Sequence, residues 1–171
     1  ITDKTLKDLE FATVLQTVSD RCNTEIGKEK ALEITPYRNK EDLMQSLWQT
    51  SEYLSSFSNN NALPNHGFDA ITTEIKFIGI EDSFLEVGSF RKIAQLSDTV
   101  NQLLLFLKKF ADYYPILQEK ASKIEYTKFI IQKIDEVVDK YGVIKDNASP
   151  DLINIRRDMS VVRGKVNQSF G

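Results

Sequence analysis

The amino-acid sequence predicts an all-α protein, a multi-helix bundle of antiparallel helices that ends in one long helix. Apolar residues recur every three to four positions along most of the 171-residue chain, which is the period of a helix with one buried face. Short stretches rich in Asn, Pro and Gly separate these patterns, and only residues 142–145 (GVIK) read like a strand. We therefore expect a helical core over residues 1–148 and the start of the long helix, in the same domain, over residues 149–171.

The first half of the chain contains three predicted helical segments. The first is interrupted near Phe11, and a short second one stops at Pro36, because proline disfavours a helical conformation in the residue before it. Asn39, with Asp42 three residues later, resembles a capping box and opens the third helix. Its predicted buried face holds five apolar residues: Leu43, Leu47, Trp48, Leu54 and Phe57.

The second half begins with a short helix that Asp69 can cap, and then carries the longest apolar pattern of the chain. This pattern predicts the central, most buried helix, marked by Phe90, Ile93, Leu96, Val100, Leu103, Leu104, Leu107 and Phe110. Pro115 opens a further short helix, and one more is indicated by Phe129, Ile130, Ile134, Val137 and Val138.

The final helix has clear start signals. Ser149 is a favoured N-cap, and Pro150 suits the first helical position because its missing N–H would be unpaired there in any case. Asp146 begins the rigid turn that leads to Pro150. Gly142 can take the left-handed conformation that closes the preceding helix. We therefore assign structural cap and turn roles to these four residues.

The same helix carries a heptad pattern. Its apolar residues follow one another at spacings of 3, 4, 3 and 4, at Leu152, Ile155, Met159, Val162 and Val166. Fewer than three heptads are a weak indication of a coiled coil. Spacing alone therefore favours an amphipathic helix that packs on its own domain, and leaves a coiled-coil seam as the alternative.

Charge is unevenly distributed. The net charge is −3, which argues against a domain coated for nucleic acid, but residues 152–171 carry an excess of three positive charges. The four basic residues there are candidate nucleic-acid contacts: Arg156, Arg157, Arg163 and Lys165. The alternative interpretation is that they form a solvated flank or contact a partner helix.

No motif for catalysis, cofactor binding or metal binding is found. Gly27-Lys28 fails as a phosphate loop, because the motif needs Gly where Cys22 stands and Ser or Thr where Glu29 stands. The single histidine, His66, has no metal-ligand spacing around it, so an exposed loop histidine or a local hydrogen-bonding role is favoured over a metal ligand. Trp48 could stack on a base, but its place on a leucine stripe favours the core. We expect no enzymatic activity of this chain itself.

Cysteine content and hydropathy indicate the compartment. One cysteine cannot form an internal disulfide, which fits a reducing cytoplasm. The longest apolar run, Leu103–Leu107, is far too short for a membrane helix, and no signal peptide is visible. The first residue is not Met, and the final helix has no end signal, so we expect a fragment of a longer protein.

Three stretches carry a resemblance to a known family: GVIKDNASPDLINIRRDM (142–159), the opening LKDLEFATVLQTVSDRCNTEIGKEKALEITPYRN (6–39) and TSEYLSSF (50–57). Together they closely resemble the N-terminal core region of the second type of bacterial MutS protein, MutS-II. The Asp-x-Ala-Ser-Pro turn at Asp146–Pro150 is the most specific part of the resemblance.

The resemblance implies a longer parent protein, in which this helical core and lever is followed by a coiled-coil clamp, an ATPase that binds ATP and Mg²⁺, and usually a C-terminal endonuclease domain. It implies DNA as the partner of the parent, a homodimer through the ATPase and clamp, and roles in suppressing recombination on branched DNA or in rescuing ribosomes. The expected function of this chain is to couple the ATPase state to the DNA clamp, with residues 149–171 as the start of the lever. The alternative function is direct binding of nucleic acid or ribosome through the basic final helix.

Overall fold

In the computed structural model, residues 2–169 are described, and they form nine α-helices. In chain order these are α1 Asp3–Asp8, α2 Phe11–Ser19, α3 Glu25–Leu32, α4 Lys40–Ser58, α5 Thr72–Ile78, α6 Val87–Lys109, α7 Pro115–Ala121, α8 Phe129–Val137 and α9 Pro150–Ser169. Within these residues no strand forms, and the GVIK stretch contributes one isolated antiparallel bridge, Val138 with Ile144. The all-α fold class is confirmed. None of the described helices has the length and apolar character needed to cross a membrane.

The described residues fall into two compact units. The first comprises the residues up to Thr72 together with Leu96–Tyr126, and the second comprises Thr73–Gln95 together with the residues from Thr127 onward. Helix α6 supplies residues to both units, and it holds three buried residues, Ala94, Asn101 and Leu107, more than any other described helix. The boundary predicted at residue 148 stays a prediction.

The N-terminal helices of the first unit are delimited by local signals, a left-handed residue between α1 and α2 and a side-chain cap at the start of α3. Glu10 takes a left-handed conformation (φ 52°) and separates α1 from α2, so the interruption predicted near Phe11 is confirmed. The side chain of Thr24 accepts a hydrogen bond from the Gly27 N–H and caps α3. The Ser19 hydroxyl, almost fully buried, donates to the Lys28 carbonyl oxygen at 3.1 Å and fixes α2 against α3.

Helices α4 and α7 are joined by a carboxylate. The side chain of Glu52, on α4, accepts hydrogen bonds from the backbone N–H groups of Ile116 and Leu117, both at 2.9 Å. Helix α7 has no cap from its own N-cap residue, Tyr114, so Glu52 satisfies two N–H groups of its first turn from another helix. A negative charge is also favourable at the positive end of the helix dipole.

A small apolar cluster lies beside this contact. Leu107, Tyr114 and Ala121 are buried together, and the fully buried Tyr114 donates its hydroxyl hydrogen to the carbonyl oxygen of Asn61 at 2.9 Å. Phe106 and Phe110 pack around it, with ring centroids 4.8 Å apart. The cluster therefore joins α6 and α7 to the loop that follows α4.

The predicted buried face of α4 is wrong. The predicted N-cap forms, since the Asn39 side chain accepts a hydrogen bond from the Asp42 N–H at 2.8 Å. The five apolar residues of the predicted face are nevertheless exposed, Trp48 by 53% and Phe57 by 69%. The face turned inward is polar instead: Ser56 is buried and donates to the Tyr53 carbonyl oxygen, and Glu52 caps α7. The preference for Trp48 in the core is corrected for the same reason, because hydrogen bonding to α7 decides which side of α4 is inside.

The second unit has its own apolar centre, and two of its ion pairs involve side chains of α6. Ala94, Ile134 and Val138 are buried together, with Val87 and Ile93 packed against them. Arg91 on α6 contacts Asp135 on α8 at 2.8 Å. Glu74 is 7% exposed and lies 3.4 Å from the Lys92 ammonium. The pKa of Glu74 is lowered by a hydrogen bond from its own backbone N–H and by Lys92.

A tight turn leads from α8 to α9. The Asp139 carboxylate accepts hydrogen bonds from the N–H groups of Tyr141 and Val143, at 2.8 and 2.9 Å, and Gly142 supplies the left-handed conformation (φ 77°) inside this turn. Gly142 therefore shapes the turn and does not close α8. Helix α8 ends earlier, at Val137, because the backbone of Val138 is extended. The N–H of Val143 chiefly lowers the pKa of Asp139.

Replacing Glu52 by Ala should lower the free energy of unfolding by about 1–2 kcal/mol, because two N–H groups of α7 lose their partner and the helix dipole loses a counter-charge. Urea unfolding followed by circular dichroism measures this. Gln45→Ala, on the exposed side of the same helix, is the control and should stay close to the unchanged chain. Equal losses in the two variants would contradict the capping role.

Asp139 should make stability depend on pH in the acid range. Its folded pKa lies below the ordinary value of 3.8, so its contribution is present above that value and is lost as pH falls through the lowered folded pKa. Asp139→Asn should therefore be less stable than the unchanged chain at neutral pH, and the difference should shrink as the solution is acidified. Thermal unfolding over a series of pH values measures it, with the exposed Asp158→Asn as control. A difference that grows toward low pH would refute the assignment.

Candidate functional site

The start of α9 is built as a capped helix end. The Ser149 hydroxyl accepts a hydrogen bond from the Leu152 N–H at 3.2 Å, and the Ser149 carbonyl oxygen accepts from the Ile153 N–H at 3.1 Å. Pro150 is the first helical residue, and Asp151 places a negative charge in the first turn. The helix then runs without a break to Ser169.

The segment before α9 ties the helix to α8. Arg156, one and a half turns into α9, forms an ion pair with Asp146 in the preceding turn. The Lys145 N–H donates to the Val137 carbonyl oxygen at 2.9 Å, and the Ala148 N–H donates to the Lys145 carbonyl oxygen at 3.0 Å. The Lys145 ammonium also donates to the carbonyl oxygen of Asp135. The root of α9 is thus fixed by both side-chain and backbone contacts.

The apolar edge of α9 is exposed along its length. No residue of this helix is buried, and of the five heptad residues only Leu152 is half-buried. Met159 is 61% exposed and Val162 59%. Packing of this edge against its own domain, which the spacing by itself favoured, is therefore not what the described residues show. We call Leu152, Ile155, Met159, Val162 and Val166 the α9 seam.

The four basic residues of α9 do not form one patch. All four are exposed. Because a helix turns by about 100° per residue, Arg156 and Arg163 share one flank of the α9 seam, Arg157 lies on the side away from it, and Lys165 on the other flank. Arg156 is engaged by Asp146, and Arg157 donates to the Asn154 side chain at 3.1 Å. A single flat nucleic acid surface could therefore meet two or three of these side chains, but not all four.

Residues that carry catalytic or metal chemistry elsewhere have local partners here. His66 Nε2 lies 3.2 Å from the Tyr53 hydroxyl, and its Nδ1 lies 3.0 Å from the Pro64 carbonyl oxygen, so the histidine has local hydrogen-bond partners. The Cys22 thiol is half-buried and donates to the Val18 carbonyl oxygen. Within residues 2–169 no group of three or more His, Cys, Asp or Glu side chains is placed to hold a metal ion.

Helix α4 carries an exposed apolar stripe, which the sequence pattern had indicated as a buried face. Its members Leu43, Leu47, Leu54 and Phe57, with Thr50 between them, follow spacings of 4, 3, 4 and 3, the same heptad rhythm as the α9 seam. The signal in the sequence was this strict seven-residue rhythm, which suits a narrow contact with another helix better than a broad buried face.

Comparison with known proteins finds relatives that share one name. No protein-family model matches the chain. It is 29% identical to Endonuclease MutS2 of Alkaliphilus oremlandii (strain OhILAs), a match that covers 96% of this chain. It is 24% identical over 97% of the chain to Endonuclease MutS2 of Symbiobacterium thermophilum, and 27% identical over 98% to Endonuclease MutS2 of Staphylococcus aureus (strain Newman).

These matches cover 21–22% of each relative, so the chain spans about a fifth of the length of the proteins it resembles. They cover 96–98% of this chain, and therefore nearly all of the three stretches that carried the resemblance. The resemblance to the second type of bacterial MutS protein is thereby confirmed.

Proposed function

We propose that this chain is a non-catalytic module of a MutS-II-type protein, a helical core with the base of a lever that couples the state of an ATPase to a clamp on branched or mismatched DNA. The observation that carries the proposal is α9, a continuous 20-residue helix with a fixed root and an exposed apolar edge. The relatives named Endonuclease MutS2 support a DNA-related parent.

A rooted helix can act as a mechanical lever. At 1.5 Å per residue, α9 is about 30 Å long, so a rotation of about 10° at its root would move its far end by about 5 Å. The amplification requires that the root moves as one piece with the core. The Ser149 cap and the Asp146–Arg156 ion pair serve this purpose, because both connect the first turns of α9 to the segment before it.

The remaining functions belong, in this proposal, to other parts of a longer cytoplasmic parent. ATP and Mg²⁺ would bind in its ATPase, and cleavage would take place in its endonuclease domain. The failed phosphate-loop match at Gly27-Lys28 agrees with a module that does not bind nucleotide itself. DNA would be contacted mainly through the clamp, and subunits would pair through the clamp and the ATPase.

The lever can be tested by breaking it in the parent protein. Ser160→Pro removes a backbone hydrogen bond in the middle of α9 and should kink the helix, at a cost of about 3 kcal/mol to the helix. We expect ATP hydrolysis without DNA to be unchanged and the response of hydrolysis to DNA to be largely lost. Ser160→Ala, which keeps the helix straight, is the matched control. A Ser160→Pro protein that responds to DNA as the control does would refute the lever.

Direct nucleic-acid binding is the second candidate, because all four basic residues of α9 are exposed. Contacts by all four would give a slope of log affinity against log salt of at most about −3.6 on duplex DNA. Their spread around the helix leads us to expect weaker salt dependence than this, or no binding by the chain alone. Titration of duplex DNA with the chain at rising salt measures it. A slope near the limit, lost in Arg163→Ala and Lys165→Ala, would favour this candidate instead.

A further inference from the structure

Within the described residues, α9 is held at its root and not along its length. No residue of the helix is buried, and every described residue after Leu152 is exposed. Side chains this exposed add little packing that could fix the direction of the helix axis. That direction is therefore set by residues 138–149, which lead from α8 to α9 and which we call the α8–α9 joint.

The apolar part of the α8–α9 joint is small. Val138 is buried and forms an antiparallel bridge with Ile144, but Ile144 is 38% exposed and Val143 is 56% exposed. Burial of apolar side chains thus anchors the beginning of the joint, at the end of α8, and contributes less to the part that leads into α9. Polar contacts have to supply the remaining constraint.

One residue of the later part, Lys145, is attached to the end of α8 at two points. Its backbone N–H donates to the Val137 carbonyl oxygen at 2.9 Å, and its side-chain ammonium donates to the Asp135 carbonyl oxygen. The last carbonyl groups of an α-helix have no partner within the helix, and a cation is favourable there because of the helix dipole. Lys145 therefore closes the C-terminal end of α8 with its backbone and its side chain together.

Two attachment points on a single residue restrict rotation. A segment that is held by one hydrogen bond can turn about that bond, whereas a second bond to another carbonyl group of the same helix removes this freedom. The constraint continues into α9, because the Lys145 carbonyl oxygen accepts from the Ala148 N–H at 3.0 Å. The next residue, Asp146, forms the ion pair with Arg156. The orientation of Lys145 on α8 is thus passed on to the first turns of α9.

Helix α8 gives the joint a firm base. Ile134 of α8 is buried with Ala94 of α6, and the Asp135 carboxylate pairs with Arg91 of α6 at 2.8 Å. Asp135 thereby contacts α6 through its side chain and Lys145 through its carbonyl oxygen. The direction of α9 is therefore tied, through one residue of α8, to the part of α6 that lies in the same unit.

We propose that Lys145 is the positioning residue that sets the direction of α9, and that its ammonium, bound to the Asp135 carbonyl oxygen, locks the α8–α9 joint. The contact is a property of this chain alone. The use of a fixed direction, which is to aim the lever, rests on the function proposed above.

Distances between spin labels on α8 and α9 test the joint in the 171-residue chain. In a Cys22→Ser background, Gln132→Cys and Asn167→Cys carry the labels at exposed positions. Residue 167 lies about 26 Å along α9, so a rotation of about 10° at the joint moves it by about 4 Å. Lys145→Met removes the ammonium and keeps the backbone N–H, so it should widen the distribution of distances by about 4 Å or more. Pulsed electron spin resonance measures this distribution.

Two further variants isolate the ammonium. Lys145→Arg keeps a cation on a long side chain and should retain the narrow distribution. Lys140→Met makes the same chemical change in the same joint, where the Lys140 ammonium lies 4.9 Å from the ring centroid of the exposed Tyr141, and should leave the distribution unchanged. Equal distributions for Lys145→Met and Lys140→Met would overturn the proposal. A Lys145→Arg chain as wide as Lys145→Met would overturn it as well.

A helix-content measurement separates positioning from folding. Far-ultraviolet circular dichroism should show the same helix content in all of these variants, because the contact fixes a direction and is not needed to form α9. A loss of helix in Lys145→Met would give Lys145 a structural role instead and would overturn the proposal. A sample labelled at Asn167→Cys alone identifies any distance that arises between two copies of the chain.

The same variant distinguishes the joint from the lever in the parent protein. If the lever function holds, Lys145→Met should lose most of the response of ATP hydrolysis to DNA, with hydrolysis in the absence of DNA unchanged, and Lys145→Arg should keep the response. A widened distribution with an unchanged response would support the joint and count against the lever. An unchanged distribution would overturn the joint, and the lever would then be judged by Ser160→Pro alone.

Discussion

Two hydrogen bonds that one carboxylate accepts determine how α4 and α7 of the first unit pack together. Glu52 binds the free N–H groups at the start of α7, and this contact turns one side of α4 inward. That side carries Tyr53 and Ser56, so the inner surface of α4 is polar and the leucine stripe is left outside. The exposure of Trp48 and Phe57, which looks unfavourable in isolation, follows from the need of α7 for a cap.

The second unit uses the same principle at the root of α9. Asp139 closes a turn by accepting from two backbone N–H groups, Ser149 caps the helix, and Asp146 pairs with Arg156. Each of these contacts joins residues that are at most ten positions apart in the sequence, and none requires much burial of apolar surface. They fix where α9 begins without covering any of its seam, and so they produce a helix that is held at one end and exposed along its length.

The function that we propose depends on the exposed apolar heptads of this architecture. Isolated apolar side chains on a surface are ordinary, but a helix edge with a regular heptad and charged flanks is the pattern of a helix that pairs with another helix. The chain resembles MutS-II-type proteins and spans about a fifth of their length, and the function that we propose sets this edge in a longer molecule of that kind. The lever is the consequence that we propose for this helix.

The sequence by itself determined the helical content and most helix starts and stops. Pro115 and Pro150 begin helices, Asn39 caps α4, and the chain breaks near Phe11, because these signals act within a few residues and need no distant partner. The same local chemistry predicted the cap at Ser149 and the left-handed Gly142, although the end of α8 before Gly142 depended on Val138 bridging to Ile144. The heptad of α9 was also visible from spacing alone.

Only the tertiary structure decided which side of each helix is inside. Apolar spacing on α4 indicated a buried apolar face. Instead, Glu52 contacts Ile116 on α7, which lies 64 residues later in the chain, and polar residues occupy the inner side of α4. For α9, spacing could not distinguish a buried edge from an exposed one, because both have the same period. The physical reason is that periodicity reports that a helix has two sides, whereas the side that faces inward depends on hydrogen-bond partners that are distant in the chain.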